Sequence, residues 1–135
     1  MQSILRISDA AAIALHTADY LASQEKPLSQ AMEITKALDI SYNHLSKVLQ
    51  QLTKAGLMLT ARGPKGGFTL SPAGKKAKVR DFIAAIDGLP AMKTCLLKHK
   101  VCGHRDCMFG NFLSDTNKRF EAVLNVKISE LSKRK

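Results

Sequence analysis

The chain has 135 residues, 45% of them apolar and 24% charged, and 21 Lys and Arg against 11 Asp and Glu give it a net charge of +10. This composition suits one small globular domain, or one domain with an appendage, and excludes a large multidomain enzyme, a low-complexity or collagen-like chain and disorder throughout. No run of about 18 uninterrupted apolar residues could span a membrane, and Asp9, His16 and Asp19 interrupt the alanine-rich stretch that would otherwise pass for a signal-peptide core. Three cysteines, an odd number confined to Cys95, Cys102 and Cys107, cannot close a disulfide framework. A cytoplasmic, reducing location is therefore expected.

The charge is unevenly spread. Between Ser41 and Arg80 lie eight basic residues (Lys47, Lys54, Arg62, Lys65, Lys75, Lys76, Lys78 and Arg80) and no acid. Most of the positive excess thus falls in one block, as an electrostatic footprint on nucleic acid requires.

Along the chain, Ser8 and Asp9 read as a helix start, one to cap free amides and the other to place negative charge in the first turn. Ala11, Leu15, Ala18 and Leu21 recur at helical spacing to about Ser23. Ser29 is expected to cap a second helix that reaches Leu38, with Met32, Ile34 and Leu38 on its apolar side. After a short turn, Ser41 caps a third, in which Leu45, Val48, Leu49 and Leu52 form a stripe at i, i+3, i+4 and i+7, before Gly56 supplies a left-handed C-terminal cap.

Two short helices joined by a tight turn match a helix-turn-helix. With the leucine stripe inward, the opposite face carries Tyr42, Asn43, Ser46, Lys47, Gln50 and Lys54, the residue types that contact phosphates and base edges. Such a face would equally suit the solvated side of a core helix. The neighbouring segment favours DNA: two strand-like runs, Leu57-Met58-Leu59-Thr60 and Phe68-Thr69-Leu70-Ser71, flank a glycine-rich turn with Arg62 and Lys65 at its tip. This is a hairpin wing, and Arg62 suits insertion into a narrow minor groove. A further helix is expected from Val79 to Ile86, stopped at Asp87-Gly88. From about Phe109 to Leu131 one long amphipathic helix is expected, its stripe of Leu113, Phe120, Leu124, Ile128 and Leu131 too long for so small a domain to cover. It would pack on a second copy, and a two-fold dimer would set two recognition helices about one DNA turn apart on a roughly palindromic double-stranded operator. Lys133-Arg134-Lys135 reads as a frayed tail.

The remaining segment holds Cys95, His99, Cys102, His104 and Cys107 within thirteen residues. Thiolates are soft ligands for iron-sulfur clusters, zinc or copper, and the nearby Lys93, Lys98, Lys100 and Arg105 would favour the thiolate form. The spacing matches neither zinc-finger pairs nor the usual ferredoxin run. Redox-active thiols or packing cysteines remain alternatives. No P-loop, dinucleotide fingerprint or paired acid and base accompanies them, so neither an enzyme nor an electron carrier is expected.

Together, Ile7-Ser8-Asp9-Ala10-Ala11, Ile40-Ser41-Tyr42-Asn43-His44-Leu45, the wing Arg62-Gly63-Pro64-Lys65-Gly66-Gly67-Phe68, Ile83-Ala84-Ala85-Ile86-Asp87-Gly88 and the three cysteines make the chain resemble the Rrf2 family of winged-helix regulators, which includes iron-sulfur regulators of the IscR and NsrR kinds. The resemblance implies a homodimer with one cluster, [2Fe-2S] or [4Fe-4S], in each subunit, whose presence or redox state controls DNA affinity in response to nitric oxide, redox state or cluster supply. It implies Cys95, Cys102 and Cys107 as ligands. IscR-like members take a fourth ligand from a histidine where this chain has Gly110, whereas NsrR-like members use an aspartate at the start of the first helix, supplied by the other subunit, and Asp9 holds that position. His104 is the competing fourth ligand. Cys102 sits one residue later than the family's common spacing. The implied DNA contacts are Ser41, Tyr42, Asn43, His44, Ser46, Lys47, Arg62, Lys65, Gly66 and Gly67. A mainly α fold with a small β-hairpin is therefore expected: a winged helix-turn-helix over 1–88, a cluster-binding loop over 89–110, and a dimerisation helix with its tail over 111–135. The alternative is a thiol-switch or zinc-dependent DNA-binding repressor that uses the same cysteines without a cluster.

Overall fold

The computed structural model describes residues 7–89 and 108–131. Cys95, Cys102, Cys107, His99, His104 and the C-terminal Lys133-Arg134-Lys135 lie outside the described residues. Helix α1 (Asp9–Ser23) begins as expected, the Ser8 hydroxyl accepting the Ala11 amide at 3.0 Å. Its buried side is made of small residues, Ala11, Ala14, Thr17 and Ala18 beside Ile13, which lets neighbouring helices approach closely. Helix α2 (Ala31–Leu38) differs from expectation at its start: Gln30, not Ser29, holds the N-cap position. Ser29 is instead drawn into a short antiparallel bridge with Phe68, donating its amide at 3.0 Å and accepting at 2.7 Å. A long-range backbone pairing has overridden a local capping preference. Ile34 is buried as expected, whereas Met32, expected on the same side, is 53% exposed and Thr35 is buried in its place.

Helix α3 (Tyr42–Lys54) is capped by Ser41, whose hydroxyl accepts the His44 amide at 3.1 Å. Leu45, Val48, Leu49 and Leu52 are all buried, as their spacing requires. At its C-terminus Gly56, with φ +82°, donates to Thr53 while Leu57 donates to Leu52, the paired bonds of a left-handed helix stop. The hairpin comes at once. Strands β1 (Met58–Ala61) and β2 (Gly67–Leu70) pair antiparallel, Met58 opposite Leu70 and Ala61 opposite Gly67.

A five-residue helix α4 (Pro72–Lys76), not expected from the sequence, comes next; Ser71 caps it at Gly74 and Pro72 sits in its first turn. Helix α5 (Val79–Asp87) buries Val79, Phe82 and Ile83. The expected single C-terminal helix is two: α6 (Met108–Leu124) stops and α7 (Ile128–Leu131) starts after a turn. The break arises because the backbone around Val126 pairs with that around Lys78: Val79 donates to Val126 at 2.9 Å and Ile128 to Ala77 at 3.0 Å. Leu124, Val126 and Ile128 consequently enter the domain's own core, with Phe82, Ile34, Leu45 and Leu49, while Phe120 and Leu131 pack against it and Leu113 is buried too, so the stripe expected to face a second copy is covered by its own chain. An Arg80–Glu121 ion pair also ties α5 to α6. Among the described residues no helix is long and apolar enough to cross a membrane.

Candidate nucleic-acid interface

Helix α3 projects Asn43, Lys47, Gln50 and Lys54 from the side opposite its buried leucines, at i, i+4, i+7 and i+11. All four are exposed, as are Ser41, Tyr42 and His44 on the first turn, while Ser46 is half-buried on the flank. Lys47, Gln50, Gln51 and Lys54 line a shallow concavity; Gln51 belongs with this face, although its position in the sequence did not single it out. No acidic residue lies between Ser41 and Arg80, so nothing on α3 or the wing opposes the positive potential.

The wing is a two-stranded hairpin with one bridge added at its edge. The Ser29–Phe68 bridge adds the start of α2 to the free edge of β2, and the Gln30 Nε2 donates to the Pro64 carbonyl at 3.3 Å, reaching the tip. Arg62 and Lys65 flank that carbonyl and are both exposed. Gly66 and Gly67, expected at the DNA, have a packing reason of their own. A Cβ on Gly66 would lie 2.1 Å from the Ala61 oxygen, and one on Gly67, whose φ is +156°, 2.6 Å from the Ser29 oxygen. Only glycine lets the turn close and the third segment dock.

Asp9 stands exposed in the first turn of α1. One residue before it, Ser8 is gripped from the end of α5: its amide and its hydroxyl donate to the two oxygens of Asp87, at 2.9 and 2.6 Å. Sequence alone marked Asp87 only as part of a helix stop. In the folded chain it ties the start of α1 to the end of α5. Among the described residues no group of three His, Cys, Asp or Glu gathers as a metal site; the three cysteines and His104 lie outside them.

A helix-turn-helix with a polar, cationic outer face, followed directly by a hairpin with a cationic tip, defines a winged-helix DNA-binding protein. The chain belongs to the Rrf2 family, described as iron-dependent transcriptional regulators, which matches residues 7–134. It is 30% identical over 122 residues to the HTH-type transcriptional regulator IscR of Vibrio campbellii, covering 90% of this chain and 68% of that protein. The fold is shared with the CymR global cysteine regulator of B. subtilis (TM-score 0.75, 19% identity, 97% of this chain and 98% of the other). It is shared too with T. potens IscR (TM-score 0.69, 22% identity, 96% and 88%). The chain spans about two thirds of the length of the curated IscR relatives it matches. It is a transcriptional regulator that binds DNA, not an enzyme.

Proposed function

We propose that this regulator is a homodimer that binds a roughly palindromic duplex and whose DNA affinity is set by an iron-sulfur cluster, [2Fe-2S] or [4Fe-4S], sensing nitric oxide, redox state or cluster supply. The observation that supports this reading is the Asp87–Ser8 junction, which fixes the start of α1 while the carboxylate of Asp9 stands exposed, open to Cys95, Cys102 and Cys107 of a second subunit. Three thiols and one carboxylate, with His104 as the rival fourth donor, are a donor set suited by chemistry to an iron-sulfur centre. The cluster would supply reactivity toward nitric oxide and oxidants. Asp9, a harder oxygen donor than the thiolates, would be the ligand most easily released. Helix α1 packs on both α5 and α3, so a change in how its first turn is tethered passes directly to the recognition helix. The result is a population shift between DNA-competent and incompetent arrangements.

DNA contact is assigned to Tyr42, Asn43, His44, Ser46 and Lys47 with Ser41 at the helix start, and to Arg62 and Lys65 on a wing shaped by Gly66 and Gly67. The dimer face is assigned to α6, where Phe109, Phe112 and Val123 remain about half exposed (50%, 55% and 51%) on one side of the helix.

Anaerobic purification tests the ligand set. Replacing Cys95, Cys102 or Cys107 by Ala removes visible absorbance; full colour in all three variants would overturn it. The second reading is a repressor that uses the same cysteines without a cluster: spacings that match neither a common cluster run nor zinc-finger pairs favour a thiol switch, and a zinc-dependent form is its variant. Zinc without acid-labile sulfide would select it.

A further inference from the structure

Gln30 occupies the N-cap of α2, where Ser, Thr, Asp or Asn are preferred because a short side-chain oxygen satisfies a free amide of the first turn. Its side chain makes no capping bond. Instead its Nε2 donates to the Pro64 carbonyl at 3.3 Å, and because a carbonyl only accepts, the amide can be oriented in one way alone. Pro64 lies between Arg62 and Lys65, the two cations of the wing tip. One residue before Gln30, Ser29 exchanges two backbone hydrogen bonds with Phe68 on β2. Two consecutive residues at the start of α2 therefore hold the wing, one at its edge and one at its tip.

We infer that Gln30 is a positioning residue for DNA recognition, its amide used to hold the Arg62–Lys65 tip in register with α3 rather than to cap α2. The inference rests on the reading of α3 and the wing as the DNA-contacting surface. Its physical logic is a local preference set aside in favour of a functional geometry. The helix-turn-helix is a packed unit, with α2 against α3, whereas a two-stranded hairpin alone is marginally stable. A tip tied to α2 moves with the recognition helix, so its cations meet the phosphates without a separate ordering cost on binding.

A double-mutant cycle on the full chain tests this, using a duplex selected by the unmodified protein from a random-sequence pool. Gln30→Ser supplies the missing cap and removes the reach to Pro64. It leaves Tm unchanged or raised yet weakens DNA binding about fivefold, the scale of one exposed hydrogen bond. Arg62→Ala weakens binding about tenfold and lowers the salt slope by about one for each subunit. The double variant loses clearly less than the product of the two, because an absent guanidinium no longer needs placing. If Tm and affinity fall together in Gln30→Ser, or the losses multiply, Gln30 is a structural residue only and the inference is overturned. Should Arg62→Ala weaken binding while Gln30→Ser does not, the wing reading stands and the positioning role fails. Unchanged affinity in Arg62→Ala would remove both.

Discussion

The Asp87 carboxylate takes the Ser8 amide on one oxygen and the Ser8 hydroxyl on the other, while that hydroxyl accepts the Ala11 amide and so caps α1. One side chain at the end of α5 thus fixes both the position and the capping geometry of the helix that bears Asp9. Asp87→Ala loses two charge-assisted bonds at an exposed site and destabilises the fold by about 1–2 kcal/mol. Asp87→Asn, which keeps one good acceptor, loses less. Urea denaturation with circular dichroism measures both; equal stability of all three proteins would show that the junction is held by packing alone.

Gly67→Ala is expected to cost about 2–4 kcal/mol, because the new Cβ meets the Ser29 carbonyl in a backbone conformation that L residues rarely adopt. The damage is local. Hydrogen exchange should report faster exchange at the Ser29 and Phe68 amides, while amides in the buried half of α3 keep their protection. Uniform loss across the chain would mean that the wing and core unfold as one unit.

Glu33 is held below the usual carboxylate range, chiefly by the hydrogen bond from the Lys26 ammonium, against an opposing cost of desolvation, with the charge of Lys26 and a backbone hydrogen bond from Gln30 adding to the lowering. A carboxyl group whose folded pKa is depressed contributes stability that is present above its unfolded pKa and lost as pH falls through the lower folded value. This contribution should therefore fade on acidification below the ordinary carboxylate pKa. Lys26→Ala should return the Glu33 titration, followed by NMR, upward to the ordinary range, and high salt should do so in part. No upward movement in Lys26→Ala would refute the pairing.

Phe112→Glu, and Phe109→Glu with Val123→Glu, should leave a folded monomer if the exposed side of α6 is the dimer face, since burying an unpaired carboxylate costs more than the apolar contact contributes. Sedimentation at several concentrations reads the state. A variant that stays dimeric places the interface elsewhere.

Much of the scaffold is legible before folding, because caps and stripes are local signals. Ser8, Ser41 and the Leu45–Val48–Leu49–Leu52 stripe behave as their positions in sequence suggest. The main departures come from long-range backbone pairing. Ser29 is a good cap by type and becomes a bridge because Phe68 is there to pair with. The last helix breaks after Leu124 because Val126 and Lys127 meet residues 77–79, a pairing no periodicity count contains. Helix α4 is too short for periodicity to reveal, although Ser71 followed by Pro72 is itself a start signal. At the site, the outer face of α3 and the cations of the wing are readable from residue type. The roles of Gln30 and Asp87 are not, since each depends on an atom contributed by a distant segment.

If the state of the cysteine segment governs DNA affinity, the two must change together. The most direct measurement is the affinity of anaerobically purified protein for its selected duplex before and after nitric oxide, with visible absorbance recorded on the same sample. The expected result is loss of the cluster absorbance together with a change in affinity of at least about tenfold, a typical coupling between two sites, and no nitric oxide response in Cys102→Ala. Unchanged affinity despite bleaching, or an equal response in Cys102→Ala, would contradict control by the cluster.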